Sequence, residues 1–310
     1  MENIVVIGGS NVDLKAYSEN YLPHTSNPGH IEESLGGVGR NIAENLGILD
    51  NKVTLLTSVG NDHFGKKLLE ETSRSQVNLD HVKITDKEKT GLYLAHLDKD
   101  GELIAAISGM EIMNSIDESY IKANKDLIKN ASLVIFDTNL NSEVIEYILE
   151  ITKKNKIITF AEPVSIDKGK KLLQQIESID YLSPNLDEAE MLLGLEVKGE
   201  NDFSLRLKRV KEKYNRYKNI PVMFVSCGEK GVLILSKKKS DFVEAEKIPK
   251  KDLKETTGAG DALLAGIASK LVRENSEFKK AVEFGIKIAS LTVKSKFTVN
   301  PDLKERLKGD

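Results

Sequence analysis

From about residue 132 onward, the chain alternates short apolar runs with stretches of helical periodicity. LVIFD (133–137) is followed by NSEVIEYILEITKK (141–154), and IITF (157–160) is followed by a basic helical stretch. The segments DYLSPN, LDEAEMLLG and VMFVSCG continue this pattern. Uniformly apolar runs of this length are typical of strands buried on both faces. The alternation therefore predicts an α/β fold with a mostly parallel sheet and helices on both faces.

The first part of the chain is predicted to follow the same design. Two apolar runs that end in glycine, at residues 3–9 and 53–60, indicate two more buried strands. The segment after Gly258 is predicted to form two long helices, the first apolar and the second amphipathic. The helices predicted outside the regular region span residues 38–49, 64–76, 262–272 and 278–293.

Two stretches break the alternation. Residues 14–35 contain prolines and a glycine without helical periodicity, and GLYLAHLDKDGELIAAI (91–107) has the pattern of a hairpin that turns at residues 99–101. We predict that segments of about 14–35 and 91–112 form a small β-sheet lid that stands off the main sheet. The alternative is a pair of ordinary edge strands.

Composition excludes several classes of partner. With 45 basic and 48 acidic residues, the net charge of −3 gives no broad attraction for nucleic acid or an anionic membrane. Cys227 is the single cysteine, so the chain cannot form an internal disulfide or a zinc site built on several cysteines. The first residues lack the pattern of a secretory leader, and we expect a cytoplasmic protein.

The sharpest local signal is TTGAGD (256–261), which runs directly into the helical segment ALLAG. Small residues at a helix start let backbone N–H groups approach an anion, and the helix dipole adds positive potential there. An aspartate at that place would repel a phosphate, so Asp261 is expected to accept a proton from a hydroxyl aligned on the phosphate. The alternative is an aspartate that caps the helix after a glycine turn.

SPNLDE (183–188) places an amide and a carboxylate at the start of another predicted helix. Asn185 and Glu188 are three residues apart and therefore share one side of the first turn. Oxygen ligands of this kind suit hydrated Mg²⁺. A capping box with Glu188 at the third helical position is the alternative.

GGVGRN (36–41) opens the first helix after the predicted lid strand. The glycines lie too far beyond the first strand for a dinucleotide-binding fingerprint, which disfavours an NAD-dependent reductase. Gly37 would let a ligand approach the backbone, and Arg40 and Asn41 would offer it hydrogen bonds. A glycine loop that serves only tight packing is the alternative.

Asn11 and Asp13 follow the glycine pair at the end of the first predicted strand, the position where open α/β sheets bind ligands. A carboxylate there can accept two hydroxyl hydrogen bonds from a vicinal diol. Ordinary turn chemistry would explain the same residues.

VSCGEKG (225–231) joins two predicted strands through a glycine-rich turn that suits contact with a nucleotide. Cys227 within it has no neighbouring histidine or thiol in the sequence to activate it. The five histidines show no metal-ligand spacing.

The order of GGVGRN, SPNLDE, VSCGEKG and TTGAGDALLAG resembles that of the ribokinase-like, phosphofructokinase-B family of carbohydrate kinases, over essentially the whole chain. The resemblance implies one ribokinase-like kinase domain over residues 1–310, a doubly wound α/β fold, and a lid that closes over the sugar. It implies ATP and Mg²⁺ as cofactors, a sugar or nucleoside as substrate, and a possible homodimer through the lid.

The resemblance also implies roles for individual residues. Asp261 would be the catalytic base, and Gly258, Ala259 and Gly260 would form the anion hole. Asn185 and Glu188 would organise Mg²⁺. The residues expected at ATP are Asn185, Ser226, Gly228, Gly231 and Thr257, and those expected at the substrate are Asn11, Asp13, Asn27, Gly37, Arg40 and Asn41.

Three further stretches resemble family members that phosphorylate the 5′-hydroxyl of a nucleoside: SNPG (26–29), GELIAAISGMEI (101–112) and NPDL (300–303). Ribose, adenosine, uridine and fructose remain alternative substrates, and a nucleoside-binding sensor without catalysis is a further alternative. Two positions depart from the family pattern. Glu255 stands where many relatives have an aspartate that binds a monovalent cation, so a potassium requirement stays open, and Glu162 also replaces an expected aspartate.

Overall fold

The structure is a computed structural model that describes residues 2–19, 21–99, 101–197, 202–274 and 276–309. The strands are β1 (Asn3–Ile7), β2 (Asn11–Ser18), β3 (Gly29–Gly36), β4 (Lys52–Leu56), β5 (Ser58–Gly60), β6 (Val77–Asn78), β7 (Lys83–Thr85), β8 (Gly91–Leu97), β9 (Leu103–Gly109), β10 (Leu133–Asp137), β11 (Ile158–Glu162), β12 (Tyr181–Leu182), β13 (Val222–Ser226), β14 (Gly231–Leu235) and β15 (Ser240–Glu244). The helices are α1 (Val38–Ile48), α2 (His63–Ser73), α3 (Glu118–Ala123), α4 (Lys125–Lys129), α5 (Ser142–Asn155), α6 (Ile166–Gly169), α7 (Leu186–Leu192), α8 (Phe203–Tyr214), α9 (Ala259–Glu274), α10 (Phe278–Val293) and α11 (Leu303–Gly309).

The apolar runs form the strands of one large sheet. Within the described residues, this sheet has nine strands in the order β15-β14-β13-β12-β11-β10-β1-β4-β6. The seven strands from β13 to β6 in this order are parallel to one another. β14 is antiparallel to β13, and β15 is antiparallel to β14. The predicted mostly parallel sheet is confirmed.

Successive side chains of the central strand enter two different core layers. Val5 and Ile7 of β1 pack in the layer that contains residues of α5 and α7, whereas Ile4 and Val6 pack in the layer that contains residues of α1, α9 and α10. All four side chains are fully buried. Because side chains alternate along a strand, an apolar run buried on both faces requires helices on both faces. The doubly wound arrangement is therefore confirmed.

The strand order also indicates the crevice in which a ligand would bind. The chain leaves β1 toward β4 on one side, and β10 lies on the other side of β1. Open α/β sheets bind ligands at the carboxyl end of such a switch point. The glycine pair at residues 8 and 9, the end of β10 and the start of α1 meet at this edge.

A separate four-stranded sheet, which we call the lid sheet, follows the order β3-β2-β8-β9. β2 is antiparallel to β3 and parallel to β8, and β8 is antiparallel to β9. These strands contain most of the two segments predicted to form a lid, and the sheet begins at Asn11. The predicted hairpin turn includes Asp100, which lies outside the described residues.

Two local predictions were wrong, and several helices were not predicted. The run 53–60 is not one strand, because it divides at Thr57 into β4 of the large sheet and β5, which pairs with β7 in a small sheet of its own. The basic helix after β11 is interrupted: α6 is only four residues long, and 3₁₀ turns follow at Lys170–Leu172 and Ile176–Ser178. The helices α3, α4, α8 and α11 were not predicted. Among the described residues, none of the helices has the length and apolar character needed to cross a membrane.

Candidate active site

A buried carboxylate at the end of β10 holds the crevice together. Asp137 Oδ2 accepts hydrogen bonds from the backbone N–H groups of Gly9 (2.8 Å) and Gly39 (2.9 Å), and Oδ1 accepts one from Asn139 (2.8 Å). Burial raises the pKa of Asp137 in spite of these donors. The sequence analysis did not single out this residue. The available signal was an acidic residue at the end of an otherwise apolar strand.

The glycines of GGVGRN allow α1 to approach the turn after β1. Gly37 has φ of 97°, and a Cβ there would lie 2.5 Å from the Gly9 carbonyl oxygen. A Cβ on Gly39 would lie 2.7 Å from the Gly8 backbone. Side chains at either position would push the helix start away from the crevice. The packing alternative therefore accounts for these glycines, and a sugar contact by Gly37 stays a prediction.

Asp261 lies in the first turn of α9, a helix of sixteen residues, and is 9% exposed. Asn41 Nδ2 donates a hydrogen bond of 2.8 Å to its Oδ2 atom. The structure therefore brings together two predicted site residues that are 220 positions apart. Burial raises the pKa of Asp261 to about 7, and the negative charges of Asp137 and Asp13 act in the same direction. Such a carboxylate can accept a proton near neutral pH.

The loop before Asp261 has the form expected of an anion cradle. Gly258 has φ of 84°, and a Cβ there would lie 2.1 Å from the Thr298 carbonyl oxygen. At Gly260, by contrast, a Cβ would meet no heavy atom within 4 Å, so open space borders the start of the helix. The first backbone N–H groups of a helix have no partner within the helix and can bind an anion in such a space.

Asn11 and Asp13 lie together on β2 at the base of the lid sheet. Asn11 Nδ2 donates to Asp13 Oδ1 over 2.5 Å, and Asp13 is 7% exposed. A Cβ on Gly36 would lie 2.4 Å from Asp13 Oδ2, so the neighbouring strand needs glycine opposite this carboxylate. Burial raises the pKa of Asp13 to about 6, and the Asn11 hydrogen bond opposes the shift. This carboxylate lies close enough to Asp261 to affect its pKa.

The guanidinium of Arg40 bonds to groups within the protein, so few of its N–H donors are available to a ligand. It donates to Thr72 Oγ1 (3.1 Å), the Leu35 carbonyl oxygen (3.3 Å) and Asn41 Oδ1 (3.1 Å), and it forms an ion pair with Glu44. These contacts use four of the five N–H donors of an arginine. The predicted sugar contact of Arg40 is thus not supported, and its position suits orientation of Asn41 instead.

Asn27 lies away from the crevice. Its side chain accepts from the backbone N–H of Leu22 (2.7 Å) and donates to the carbonyl oxygens of Leu22 (2.9 Å) and Thr25 (3.1 Å). It precedes Gly29, which pairs with Ser18 at the opposite end of β2 from Asn11. At about 3.3 Å per residue, these two ends are roughly 20 Å apart. The structure does not bring Asn27 to the crevice, and its substrate contact stays a prediction.

Asn185 and Glu188 form a capping box at the start of α7. Asn185 Oδ1 accepts from the Glu188 N–H (2.9 Å), and Glu188 Oε2 accepts from the Asn185 N–H (2.9 Å). The alternative that had been left open is thus what the structure contains, although the second carboxylate oxygen of Glu188 is not part of the box. Burial raises the pKa of Glu188.

Glu162 is the last residue of β11. Burial raises its pKa well above the ordinary value, and the charges of Glu188 and Asp261 raise it further. Its Oε1 atom accepts from the N–H of Val164, a β-branched residue with φ of 64°. Backbone strain of this kind is common near functional sites. The charges of Glu188 and Asp261 therefore act on Glu162, and its role stays open.

The glycine-rich turn after β13 lies beside the capping box. Ser226 forms a bridge with Asn185, and its N–H donates to the Pro184 carbonyl oxygen (2.9 Å). Gly228 and Gly231 both have positive φ, at 57° and 127°, so the turn favours glycine at these two positions. Burial raises the pKa of Cys227 to about 11, which does not suit a nucleophile.

Thr257 and Glu255 lie in the loop before α9. The Thr257 N–H donates to Glu255 Oε1 (2.9 Å), and the other carboxylate oxygen of Glu255 forms an ion pair with Lys15 of β2. The position that the family pattern associates with a monovalent cation therefore forms an ion pair with Lys15 in this chain.

The chain is similar to known proteins over nearly its whole length. The description "pfkB family carbohydrate kinase" matches residues 1–305. A pseudouridine kinase from Escherichia coli (strain K12) is 35% identical over 301 residues, which cover 97% of this chain and 93% of that protein. A ribokinase from Staphylococcus aureus (strain COL) is 28% identical over 300 residues, with 94% and 93% of the two chains covered. The solved structure of an Arabidopsis thaliana ribokinase complexed with ribose and ATP superposes with a TM-score of 0.81 at 24% identity, and covers 99% of this chain and 98% of that one.

Proposed function

Since the chain belongs to the pfkB family of carbohydrate kinases and therefore to the sugar and nucleoside kinases, we propose that it transfers the γ-phosphate of ATP to the 5′-hydroxyl of a nucleoside, with pseudouridine as the favoured acceptor. One observation carries the proposal: the Asp261 carboxylate is held by Asn41 at the open start of α9. A proton acceptor and an anion cradle at one helix start are the two parts that phosphoryl transfer to an alcohol needs.

In the proposed reaction, Asp261 accepts the proton of the acceptor hydroxyl. The hydroxyl oxygen forms a bond with the γ-phosphorus, and the bond between this phosphorus and the bridging oxygen breaks, so that ADP leaves with the electron pair. The backbone N–H groups at the start of α9 would stabilise the charge on the transferred group. Gly258, Ala259 and Gly260 act in this role through the backbone, and Gly258 also sets the loop conformation.

The acceptor would bind between β2 and α1. The Asp13 carboxylate would accept hydrogen bonds from two sugar hydroxyls, with Asn11 and Asn41 beside it. Arg40 would act through Asn41, whose oxygen it contacts. The nucleotide would lie on the other side of the cradle, along Asn185, Ser226, Gly228, Gly231 and Thr257.

Mg²⁺ would arrive with the nucleotide. No cluster of three or more potential ligands that could hold a metal ion is found in the described part of the chain. The free oxygen of Glu188 and the nearby Glu162 carboxyl group nevertheless fit an ion that keeps most of its water and takes one or two carboxylates together with phosphate oxygens. When bound, Mg²⁺ neutralises charge on the phosphates. Glu188 would hold its water shell, and the capping box with Asn185 would fix the orientation of that carboxylate.

The negative charge of Glu255 is already neutralised by Lys15. Both carboxylate oxygens already have partners, in Lys15 and the Thr257 N–H group. We therefore propose that the chain works without potassium at this position.

The choice of pseudouridine rests on the 35% identity to a pseudouridine kinase and on the SNPG, GELIAAISGMEI and NPDL stretches. Ribose, adenosine, uridine or fructose is the alternative acceptor, since ribokinases are similar over the same length. A sensor without catalysis is disfavoured, because it would have no need to keep Asp261 beside an intact cradle.

The outer face of the lid sheet supports a homodimer. Leu94 and Ile107 are opposite each other in the register, and Ile31 and Ile107 are 70% and 69% exposed. A second copy of the same apolar face would cover this surface, which sedimentation analysis would test. We also propose a cytoplasmic location, in line with a small-molecule kinase that has a single thiol.

The proposed function is tested by ADP release from ATP and Mg²⁺ with a panel of pseudouridine, uridine, ribose, adenosine and fructose. We expect the highest kcat/KM for pseudouridine. A preference for ribose or fructose would overturn the nucleoside assignment but keep the kinase. A rate that none of the five acceptors raises above the acceptor-free rate would contradict the kinase proposal.

A further inference from the structure

One ion pair joins the strand that carries the proposed acceptor site to the loop that carries the anion cradle. Lys15 Nζ contacts Glu255 Oε2, and the two side chains are only 16% and 21% exposed. Burial would raise the pKa of Glu255, but the hydrogen bonds from Lys15 and Thr257 hold it below its ordinary value. A pair that is largely shielded from water is screened less by salt than a surface pair.

The Lys15 end of the pair belongs to the acceptor site. Lys15 lies two residues after Asp13 on β2, and side chains at this spacing lie on the same face of a strand. Its charge is close enough to lower the pKa of Asp13. Because both residues belong to β2, a shift of this strand at Lys15 would also shift Asp13.

The Glu255 end belongs to the cradle. The backbone N–H groups of Lys254 (2.9 Å) and Glu255 (3.4 Å) donate to the Val293 carbonyl oxygen at the end of α10, which fixes this segment to the body of the protein. The Glu255 carboxylate then accepts the Thr257 N–H, directly before Gly258. One carboxylate thus orients the cradle loop with one oxygen and binds the lid sheet with the other.

From this geometry we infer that Lys15 and Glu255 are a positioning pair, which sets the acceptor-binding strand at the correct distance from the phosphate cradle. The inference rests on the proposed function. In-line transfer needs the acceptor oxygen within contact distance of the phosphorus, and a misplacement of about 1 Å costs on the order of 100-fold in rate. Neither side chain needs to touch the reacting atoms, because they act through Asp13 and the Thr257 to Gly260 loop.

The test uses Lys15→Met, which keeps the length of the side chain, Glu255→Gln, and the double variant. Lys67→Met is the matched control, because Lys67 of α2 forms an ion pair of 2.7 Å with Glu33 of the lid sheet away from the cradle. For Lys15→Met we expect kcat with the acceptor to fall about 10- to 100-fold, with a smaller effect on the KM for ATP. The double variant should be no slower than the slower single variant, and Lys67→Met should retain wild-type kinetics.

Several results would overturn the inference: wild-type kcat in Lys15→Met, additive losses in the double variant, or an equal loss in Lys67→Met, which would indicate general anchoring of the lid sheet. Hydrogen exchange of the Thr257 amide provides a readout that does not depend on any acceptor. We expect faster exchange in Lys15→Met and not in Lys67→Met. If the wild-type protein phosphorylated no acceptor, the proposed function would fail, and this exchange result alone would decide whether the pair orders the cradle loop.

Discussion

Replacing Asp261 by asparagine should slow the reaction and stabilise the protein at the same time. The amide keeps an oxygen for the Asn41 hydrogen bond but cannot accept a proton, so we expect kcat to fall by about 10²- to 10⁴-fold, the usual contribution of a general base. ATP affinity should be unchanged, because the cradle consists of backbone N–H groups. Equilibrium binding of ATP and steady-state ADP release would measure the two effects separately.

The stability effect follows from the pKa. Folding raises the pKa of Asp261 from 3.8 to about 7, so its protonated form contributes stability that is fully present below pH 3.8 and is lost as the pH rises through 7. At 1.36 kcal/mol per pKa unit, the loss is at most about 4 kcal/mol. Asparagine does not titrate, and the variant should therefore gain stability over wild type between pH 4 and pH 8. With about 2.1 cal/mol/K of unfolding entropy per residue, the gain in Tm is at most about 6 °C.

Thermal unfolding of both proteins across this pH range tests the reasoning. Asp80→Asn, which removes the carboxylate of an exposed aspartate, is the control. A pH-independent Tm difference for Asp261→Asn would show that Asp261 is ionised at its ordinary pKa. Turnover close to that of wild type would refute its role as the base.

Three further outcomes are expected. The kcat of the wild-type enzyme should rise as the pH increases through about 7, because only ionised Asp261 accepts a proton; a flat profile from pH 6 to 8 would count against this base. Asp13→Asn should raise the KM for the acceptor by about 10- to 100-fold, since a hydrogen bond to a charged group contributes about 1.5–3 kcal/mol, with KM for ATP unchanged; equal effects on both substrates would contradict its assignment to the acceptor. Replacement of potassium by tetramethylammonium should leave the rate unchanged, because Lys15 occupies the carboxylate of Glu255; a large loss of rate would show that a cation site exists elsewhere or displaces Lys15.

The parts of the fold that follow from local sequence were predicted well. A continuous apolar run such as LVIFD indicates a strand that is buried on both faces. The helical spacing of apolar residues in α5 indicates a helix that is buried on one face. Thr57 could not be recognised as a break between two strands, since VTLLTSVG is uniformly apolar apart from threonine and serine. The pairing of β5 with β7 rather than with the large sheet depends on residues 25 positions away.

The site shows the same division. Asp261 and Gly258 were identifiable because their chemistry lies within six consecutive residues. The ion pairs of Arg40 with Glu44 and of Lys15 with Glu255 were not identified, although the first lies within one helix turn. The sequence does not tell whether a polar side chain bonds within the protein or faces a ligand. Only the structure shows that Arg40 and Asn27 bond to other groups of the protein, whereas Asn11 and Asp13 lie together at the base of the lid sheet.

The central claim is that this chain forms a phosphate ester on a primary hydroxyl. ³¹P NMR of a reaction with ATP, Mg²⁺ and pseudouridine tests it directly, because a phosphorus bonded through oxygen to a CH₂ group gives a triplet by coupling to two protons. We predict growth of such a triplet together with the signals of ADP, and its absence when Asp261→Asn replaces the wild-type enzyme. Signals of ADP and inorganic phosphate alone, with no new ester from pseudouridine or from any other acceptor in the panel, would contradict the account.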